Sequence, residues 1–298
     1  MKKKLSIIGF GRVGFEILKF LDKRFFDVKI VDIKESAKGA LLDFVENFNI
    51  EFSDDYEIIR DSDIVVLSCG LRRQKGLKRE ELLRSNLEII KFISNKVSEF
   101  SPDALIVMLT TPAEILSYAF YRMTAWDKRK IISFSVEIDI KRFKNLIWKN
   151  VGLDADLYGF GSHADFLYIE PQSISFNGLS YKYFLSESEI KSFVETVKNW
   201  GDKILEYSGL SSFYTPGKLV ADVLNKLAYG QKVLGSFGTI WNGEYGFHNF
   251  FACIPSLLSE NFKIEKTFEI DISDEKDFFE RMKSLKNLEI ELEDIINE

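Results

Sequence analysis

The fold is decided by a stretch near the start of the chain, Leu5-Ser6-Ile7-Ile8-Gly9-Phe10-Gly11-Arg12-Val13-Gly14-Phe15-Glu16-Ile17-Leu18. Its first part is a short apolar run typical of a buried parallel strand, and apolar residues then recur at helical spacing. Gly9, Gly11 and Gly14 form a G-x-G-x-x-G pattern between the two. A second apolar run, 28–31, ends on Asp32, about 20 residues beyond the glycines. This order predicts a dinucleotide site, although a glycine-rich turn that serves packing alone has the same pattern.

The residues of the turn have distinct roles in dinucleotide binding. Gly9 allows a tight turn, Gly11 lets the backbone approach a pyrophosphate, and Gly14 lets helix and strand pack closely. Arg12 and Val13 open the helix, whose unpaired N–H groups and partial positive charge attract phosphates. We therefore expect these five residues to bind the cofactor.

Asp32 predicts which dinucleotide is bound. Its carboxylate can accept hydrogen bonds from both hydroxyls of the adenosine ribose, and it would repel a 2′-phosphate, so NAD is favoured over NADP. Lys34 lies close enough to soften this preference, but the residue directly after the acid is Ile33.

Composition and the order of elements predict the fold class. The chain has 298 residues, of which 46% are hydrophobic and 29% charged, as in an ordinary globular protein. Short apolar strands alternate with amphipathic helices through the first half, which predicts an α/β fold with a Rossmann-type, doubly wound parallel sheet. The pattern becomes α+β further on. We expect an NAD-binding domain over 1–149 and a substrate and catalytic domain over 150–298.

The net charge and the cysteine content limit the binding partners and the cellular compartment that we expect. The net charge of -6 argues against broad nucleic-acid binding. Cys69 and Cys253 lie in apolar runs without metal-ligand spacing, which predicts buried free thiols in a reducing compartment and no metal site. No apolar run approaches the about 20 residues needed to span a bilayer. We expect a cytoplasmic protein that binds a small molecule and neither nucleic acid nor membrane.

Chemistry is expected after the strands, because ligands of open α/β sheets bind beyond the carboxyl ends. Segment 70–81 carries five basic residues and two glycines, which fits a charged lid over an anionic substrate or a solvated charge run. Segment 110–114 places Thr111 either near the reacting carbon or at the start of a helix, with Pro112 in its first position.

Two later segments hold further candidates. Asp139 and Arg142 share a helix face. They form either a surface ion pair or a functional pair. In the functional pair, Asp139 orients a base and the guanidinium of Arg142 binds a substrate carboxylate. His163 is one of only two histidines and follows small residues at a strand break, where its ring is structural or faces a cleft. His248 lies in a predicted loop and receives no role.

Together these segments resemble the lactate/malate dehydrogenase family over nearly the whole chain. The resemblance is carried, in the family's order, by the cofactor fingerprint at 9–32, the active-site loop at 70–86, the L-D-x-x-R motif at 138–142, with Ile138 in place of leucine, and the G-x-H-G-D motif at 161–165. It implies an NAD-dependent oxidoreductase that acts on 2-hydroxy acids.

The resemblance also implies roles for the catalytic residues. His163 would exchange a proton with the substrate hydroxyl, and Asp139 would orient its ring. Arg142 would bind the C1 carboxylate, and Arg79 would stabilise charge on the carbonyl oxygen. Arg73 stands where malate dehydrogenases carry arginine and lactate dehydrogenases glutamine. It would bind a second carboxylate, which favours malate and oxaloacetate as the reactants.

The other positions implied by the resemblance surround these residues. Thr111 and Ser212 would contact the substrate, and Gly70, Asn86 and Thr111 would contact the cofactor. Family members are usually dimers or tetramers, so we expect a homodimer or homotetramer.

The chain departs from the family's pattern at three places. Thr111 replaces the asparagine before proline, so one hydroxyl stands where an amide contacts the substrate oxygen. Arg72 adds a cation that could admit a bulkier or more anionic acid. Ser162 and Ala164 flank the histidine, and we expect an altered backbone because alanine adopts positive φ less readily than glycine. A dehydrogenase of another 2-keto acid and a weakly active redox sensor therefore stay open as alternatives.

Overall fold

A computed structural model describes residues 2–44, 49–71 and 79–297 of the chain. Its strands are β1 (Lys3–Ile8), β2 (Phe26–Val31), β3 (Ile50–Ser53), β4 (Ile64–Leu67), β5 (Leu105–Met108), β6 (Ile131–Ser133), β7 (Gly159–Gly161), β8 (Leu167–Ile169), β9 (Ser175–Phe176), β10 (Leu179–Ser180), β11 (Val233–Asn242), β12 (His248–Ser259) and β13 (Lys263–Thr267). Its α-helices are α1 (Arg12–Phe20), α2 (Glu35–Asp43), α3 (Arg79–Phe100), α4 (Ala113–Thr124), α5 (Ser135–Val151), α6 (Glu187–Lys198), α7 (Trp200–Ser208), α8 (Tyr214–Ala228) and α9 (Glu275–Asn297).

One large sheet organises the molecule. Its parallel part has the order β3-β2-β1-β4-β5-β6, and β11, β12, β7 and β8 continue it. The junction is antiparallel, between Ser133 of β6 and Gly238 of β11. The chain winds outward in one direction from β1 and in the other from β4, so the strand order reverses between these neighbours. The predicted α/β, doubly wound fold is confirmed, and the reversal places the ligand crevice beyond the carboxyl ends of β1 and β4.

The apolar runs form strands because both faces of the sheet are covered. Leu5 and Ile7 of β1 pack in a cluster with residues of α1 and α8, whereas Val65 and Leu67 of β4 pack in a cluster with residues of α3, α4 and α9. Continuous burial on both faces is the usual state of a parallel sheet. The sheet edge that faces the crevice is therefore a rigid support for the segments that follow the strands.

Several sequence-based expectations need correction. The apolar spacing over 187–207 is typical of one long helix, but this segment forms two helices, α6 and α7, which meet at Asn199. The short strand β3 had no clear apolar signal. Thr111 does not cap a helix: Pro112 is itself extended, with φ of -79° and ψ of 119°, so it is the flanking residue and α4 begins at Ala113. Both cysteines are free, but only Cys253 is buried, because Cys69 lies just beyond the end of β4.

The second half of the chain packs directly on the first helix. A Cβ placed on Gly217 of α8 would lie 2.4 Å from the Cβ of Glu16 in α1, so the two helices are in close contact. Asn225 of α8 accepts a hydrogen bond from the backbone N–H of Asp22 and donates to the carbonyl oxygen of Phe20, both at 2.8 Å. In the described part of the chain, no helix has the length and apolar character needed to cross a membrane.

Candidate active site

The glycine turn after β1 lies against the segment after β4. Gly9 has a φ of 89°, and a Cβ placed there would lie 2.4 Å from the Cα of Cys69. Ser68 donates a 2.7 Å hydrogen bond from its hydroxyl to the carbonyl oxygen of Gly9. A Cβ on Gly14 would lie 2.9 Å from that same carbonyl oxygen. Glycine is therefore required at Gly9 for both conformation and space, as the sequence indicates.

Replacing Gly9 with alanine is expected to lower the free energy of unfolding by about 3 kcal/mol, because the methyl group adds backbone strain to a steric clash. Urea denaturation measures the change. Gly39→Ala in α2 is the matched control, since nothing lies within 4 Å of its added Cβ. That control should gain about 0.5–1 kcal/mol from helix propensity. A loss of less than about 1 kcal/mol for Gly9→Ala would show that the turn is not constrained as described.

The start of α1 fits a pyrophosphate. Among the described residues, no atom beyond the two chain neighbours lies within 4 Å of a Cβ placed on Gly11, in contrast to Gly9 and Gly14, so this side of the turn is open to a ligand. Gly11 is also the N-cap of α1 and supplies no side-chain cap, which leaves the N–H groups of the first turn available to an anion. The Arg12 guanidinium lies 5.7 Å from the ring centroid of Phe213, and Val13 packs against the core. Neither side chain caps the first turn of α1, so its backbone N–H groups are the part of these two residues that suits a phosphate.

Asp32 is held where the ribose of a dinucleotide would lie. One carboxylate oxygen accepts a 2.6 Å hydrogen bond from the N–H of Phe10 in the glycine turn. The other accepts a 2.8 Å bond from the N–H of Lys34. Each oxygen keeps a lone pair for a further donor, which is what two ribose hydroxyls require. The described residues thus fit an NAD molecule at both its pyrophosphate and its ribose.

Asn86 joins two segments at the crevice. Its buried amide accepts from the N–H of Leu71 at 2.7 Å and donates to the carbonyl oxygens of Leu71 at 3.1 Å and Thr111 at 2.8 Å. Gly70, with a φ of 125°, packs so closely that an added Cβ would lie 2.7 Å from the side-chain oxygen of Asn86. Both N–H groups of the amide are used in these bonds, so Asn86 acts on the cofactor site by positioning the backbone. Thr111 keeps an exposed side chain.

The catalytic candidates of α5 and the loop after β7 come together as expected. The Nδ1–H of His163 donates a 2.7 Å hydrogen bond to one oxygen of Asp139. The other oxygen accepts a 2.9 Å bond from Nη1 of Arg142. The side chains of Asp139 and Arg142 are 2% and 10% exposed, whereas His163 is 41% exposed. A surface ion pair is excluded by this burial, and the bond to Asp139 uses Nδ1 of the ring, which leaves Nε2 for another partner.

The electrostatic surroundings favour the protonated form of His163. Burial alone lowers the pKa of the imidazole, but the Asp139 carboxylate and its hydrogen bond outweigh that effect, and the pKa is raised above its usual 6.5. Arg142 acts in the opposite direction and Glu114 in the same direction as Asp139. The raised pKa favours the protonated ring, which is the form that gives a proton to a carbonyl oxygen.

Ala164 keeps the left-handed backbone that glycine supplies in the family's motif. Its φ is 60°, so the expected change of backbone after His163 does not occur. The Asp139 hydrogen bond and the short helical turn at 164–166 hold this conformation.

Three predicted site residues are not joined to this group by the described contacts. Arg73 lies outside the described residues, and Arg79 is the first residue of α3, with its side chain outside them. Ser212 is half-buried in the connection between α7 and α8. Their roles therefore rest on the sequence alone.

Glu114 is the site residue that sequence reasoning missed. It lies in the first turn of α4, is 2% exposed, and accepts a hydrogen bond from the hydroxyl of Ser162, the neighbour of His163. A signal was present in the sequence, because the acid follows Thr111 closely at the carboxyl edge of the sheet. Nothing in the sequence showed that its oxygens face serines from other segments.

The arrangement matches a known family. A model described as the NAD binding domain of lactate/malate dehydrogenase matches residues 3–133, and one described as the alpha/beta C-terminal domain of lactate/malate dehydrogenase matches residues 137–298. The chain belongs to the lactate/malate dehydrogenase family. Its cofactor is NAD, in agreement with the glycine turn and Asp32.

Relatives of known name cover almost the whole chain. A malate dehydrogenase from Halalkalibacterium halodurans is 29% identical over 96% of this chain and 96% of its own length. A malate dehydrogenase from Chlorobium chlorochromatii is 30% identical over 91% of each. Among solved structures, the malate dehydrogenase from Aeropyrum pernix is 26% identical, with a TM-score of 0.85 over 95% of this chain and 96% of that chain. A lactate dehydrogenase from Cryptosporidium parvum shares the fold at 18% identity, with a TM-score of 0.89 over 98% of each chain.

Proposed function

We propose that this enzyme is an NAD-dependent malate dehydrogenase that interconverts malate and oxaloacetate. The observation that carries the proposal is the buried Arg142–Asp139 pair bonded to His163, at the same sheet edge as the NAD site. The names of its relatives support the substrate. Arg73 also supports malate and oxaloacetate as the reactants. The second carboxylate of these substrates would pair with the Arg73 cation, whereas a monocarboxylate would leave it unpaired.

His163 transfers the proton of the reaction. Malate loses a hydride from C2 and a proton from its hydroxyl group when it becomes oxaloacetate. NAD supplies the acceptor for the hydride. With Nδ1–H bonded to Asp139, the free Nε2 of His163 takes the hydroxyl proton, and in the reverse direction it returns that proton to the carbonyl oxygen.

Asp139 and Arg142 position the reactants of this step. Asp139 fixes the tautomer of His163 and stabilises the charged ring once the proton has arrived. Arg142 is held by Asp139 through Nη1, so its remaining N–H groups can bind the C1 carboxylate of the substrate. Arg79 and Arg73 complete the proposal: Arg79 stabilises the carbonyl oxygen, and Arg73 binds the C4 carboxylate.

A panel of 2-keto acids tests the substrate. Oxaloacetate, pyruvate and longer 2-keto acids are compared by their kcat/KM in NADH oxidation. The proposal predicts a preference for oxaloacetate over pyruvate of about 10³-fold or more, because an unpaired charge costs several kcal/mol. A higher kcat/KM for pyruvate or a bulkier acid would favour the alternative raised by Thr111 and Arg72. NADH binding without turnover across the panel would favour the redox sensor.

Replacing Asp32 with asparagine is expected to weaken the preference for NADH over NADPH by about tenfold or more, because it removes a charged acceptor from the ribose and the repulsion of a 2′-phosphate. The ratio of kcat/KM for the two cofactors measures the effect. Asp27→Asn is the matched control, since Asp27 lies on the same strand β2 but pairs with Lys2 away from the crevice. An unchanged ratio for Asp32→Asn would contradict the assignment.

The raised pKa of His163 predicts a defined pH dependence. Oxaloacetate reduction needs the protonated ring, so its kcat/KM should be constant at low pH and fall as the pH rises through the pKa of His163. Malate oxidation needs the neutral ring and should rise over the same range. The midpoint is expected above 6.5, the usual pKa of histidine. Opposite slopes, or a midpoint below 6.5, would contradict the assignment of His163 as the acid–base group.

The oligomeric state, the cellular compartment and the domain boundaries of the enzyme are three further proposals. We propose a homodimer or homotetramer in the cytoplasm, where the two free thiols would stay reduced. We also propose a division into an NAD-binding unit over 1–149 and a substrate and catalytic unit over 150–298. The shift from parallel to antiparallel pairing beyond β6 supports that division.

A further inference from the structure

The carboxylate of Glu114 is the centre of a buried polar cluster behind His163. One oxygen accepts hydrogen bonds from the hydroxyls of Ser133 at 2.6 Å and Ser135 at 2.5 Å. The other accepts from the hydroxyl of Ser162 at 2.5 Å. The thiol of Cys253 on β12 lies 3.6 Å from the first oxygen. We refer to Glu114, the three serines and Cys253 as the Glu114 cluster.

The cluster is held by neutral donors. Within the described ranges, no lysine or arginine nitrogen lies within 4.0 Å of the Glu114 carboxylate. Burial and, next, the charge of Glu114 raise the pKa of Cys253 well above its usual value, so the thiol keeps its proton. A buried carboxylate in such surroundings is costly unless its acceptors are filled, as they are here. The charge of Glu114 is therefore not offset by a neighbouring lysine or arginine among the described residues. It raises the pKa of nearby titratable groups.

The cluster joins the segments that carry the catalytic residues. Ser162 directly precedes His163, and Ser135 opens α5 about one turn before Asp139. Glu114 itself follows Thr111 at the start of α4. All three segments thus meet at one carboxylate.

We propose that Glu114 is a positioning residue for proton transfer at His163, and that its buried carboxylate fixes the imidazole relative to Asp139 through Ser162 and Ser135. This inference rests in part on the proposed function, since it assigns His163 the proton transfer. Its geometric content is independent of the substrate.

The sign of the electrostatic effect follows from the charges around His163. Asp139 and Glu114 favour the protonated ring, and Arg142 disfavours it. The same loop contains Asp165, and Arg281 of α9 lies beside it. The guanidinium of Arg281 donates a hydrogen bond to the backbone carbonyl of Asp165. Removing the charge of Glu114 while leaving the other four groups unchanged should therefore lower the pKa of His163.

Histidine NMR tests this effect without any turnover. The chain has only His163 and His248, so labelled histidine gives two resonances, and the exposed His248 is an internal reference. Glu114→Gln is expected to lower the pKa of His163 by about half a unit or more, and Glu114→Asp to restore most of it. Glu170→Gln is the matched control, because Glu170 is 1% exposed and held by the hydroxyl of Tyr168 and backbone N–H groups.

Kinetics then separates the charge from the hydrogen bonds. Ser162→Ala keeps the charge of Glu114 and removes one tether of the histidine loop. It should lower kcat about threefold with little change in the pKa of His163. Glu114→Gln should lower kcat about tenfold, with a change in KM of less than about threefold, because the substrate carboxylate sites stay in place.

The outcomes are distinguishable. A His163 pKa that moves equally in Glu114→Gln and Glu170→Gln, or in neither, would overturn the inference. So would an unchanged kcat in both Glu114→Gln and Ser162→Ala. If Glu114→Gln does not fold, the kcat of Ser162→Ala decides, and an unchanged kcat in that variant would overturn the inference. If the pKa shifts as expected but wild type does not reduce oxaloacetate, the proposed function fails and the positioning role of Glu114 stands.

Discussion

Replacing Asp139 with asparagine is expected to lower kcat by about 10³- to 10⁴-fold, because the histidine is then held in the wrong tautomer. Arg142 decides which way the new amide faces: Nη1 donates to Oδ1, so the amide oxygen must stay on that side. The amide N–H₂ is thereby turned towards Nδ1 of His163, the atom that now donates to Asp139 at 2.7 Å. The proton of the neutral ring then moves to Nε2, which can no longer accept the substrate's proton.

Steady-state kinetics together with NADH binding measures this loss. NADH affinity should change less than about threefold, since the change leaves the glycine turn and Asp32 intact. Asp156→Asn is the matched control, because Asp156 pairs with Lys144 and its side chain is 82% exposed. It should behave as wild type, as surface ion pairs contribute little. A kcat for Asp139→Asn within tenfold of wild type would rule out the proposed role of Asp139.

Replacing Arg142 with lysine is expected to lower kcat/KM for oxaloacetate by about 100-fold, mainly through KM. Lysine keeps the positive charge, but it cannot make two parallel hydrogen bonds to a carboxylate while also holding Asp139. The lost bonds are charge-assisted, and each contributes about 1.5–3 kcal/mol. The side chain is 10% exposed, so bulk water does not replace them efficiently.

Initial rates over a range of oxaloacetate concentrations give kcat and KM separately. Arg129→Lys is the control, since Arg129 pairs with Asp127 at the surface, and its parameters should stay within twofold of wild type. An Arg142→Lys variant that keeps the wild-type KM for oxaloacetate would show that Arg142 does not bind the C1 carboxylate.

Local sequence patterns predicted the cofactor side of this site because the residues concerned are close together in the chain. Gly9, Gly11 and Gly14 belong to one turn, and Asp32 ends the next strand. Their roles follow from backbone geometry that a strand, a turn and a helix already impose. The structure adds the contacts that make them specific, such as the approach of Gly9 to Cys69.

The substrate side depended on long-range contacts and was predicted less completely. The resemblance placed His163 beside Asp139, but helical spacing alone did not decide whether Asp139 and Arg142 form a surface pair or part of the site. The option of Thr111 as a helix cap is wrong, because Pro112 is extended and lies before the helix. The surrounding fold sets this conformation of Pro112, so the local sequence does not reveal it. The bonds of Asn86 to the backbone carbonyls of Leu71 and Thr111 also join distant segments, and its own sequence neighbours do not indicate them.

Glu114 shows why such residues are hard to find in a single sequence. Its partners come from β6, α5 and the loop after β7, and serine at each of these positions is unremarkable by itself. A buried acid with several hydroxyl donors becomes recognisable only when the sheet brings the segments together. The segments after β1, β4 and β5 are joined in the same way, by hydrogen bonds from Ser68 to Gly9 and from Thr110 to Cys69.

We propose that His163, oriented by Asp139, transfers the proton in an NAD-dependent reaction of malate and oxaloacetate. The most direct test is the initial rate of NADH oxidation by the purified protein with and without oxaloacetate, beside the His163→Gln variant. We predict a fast oxaloacetate-dependent rate for wild type and a loss of about 10³-fold or more for the variant. A wild-type rate that does not depend on oxaloacetate, or a variant as active as wild type, would contradict the claim.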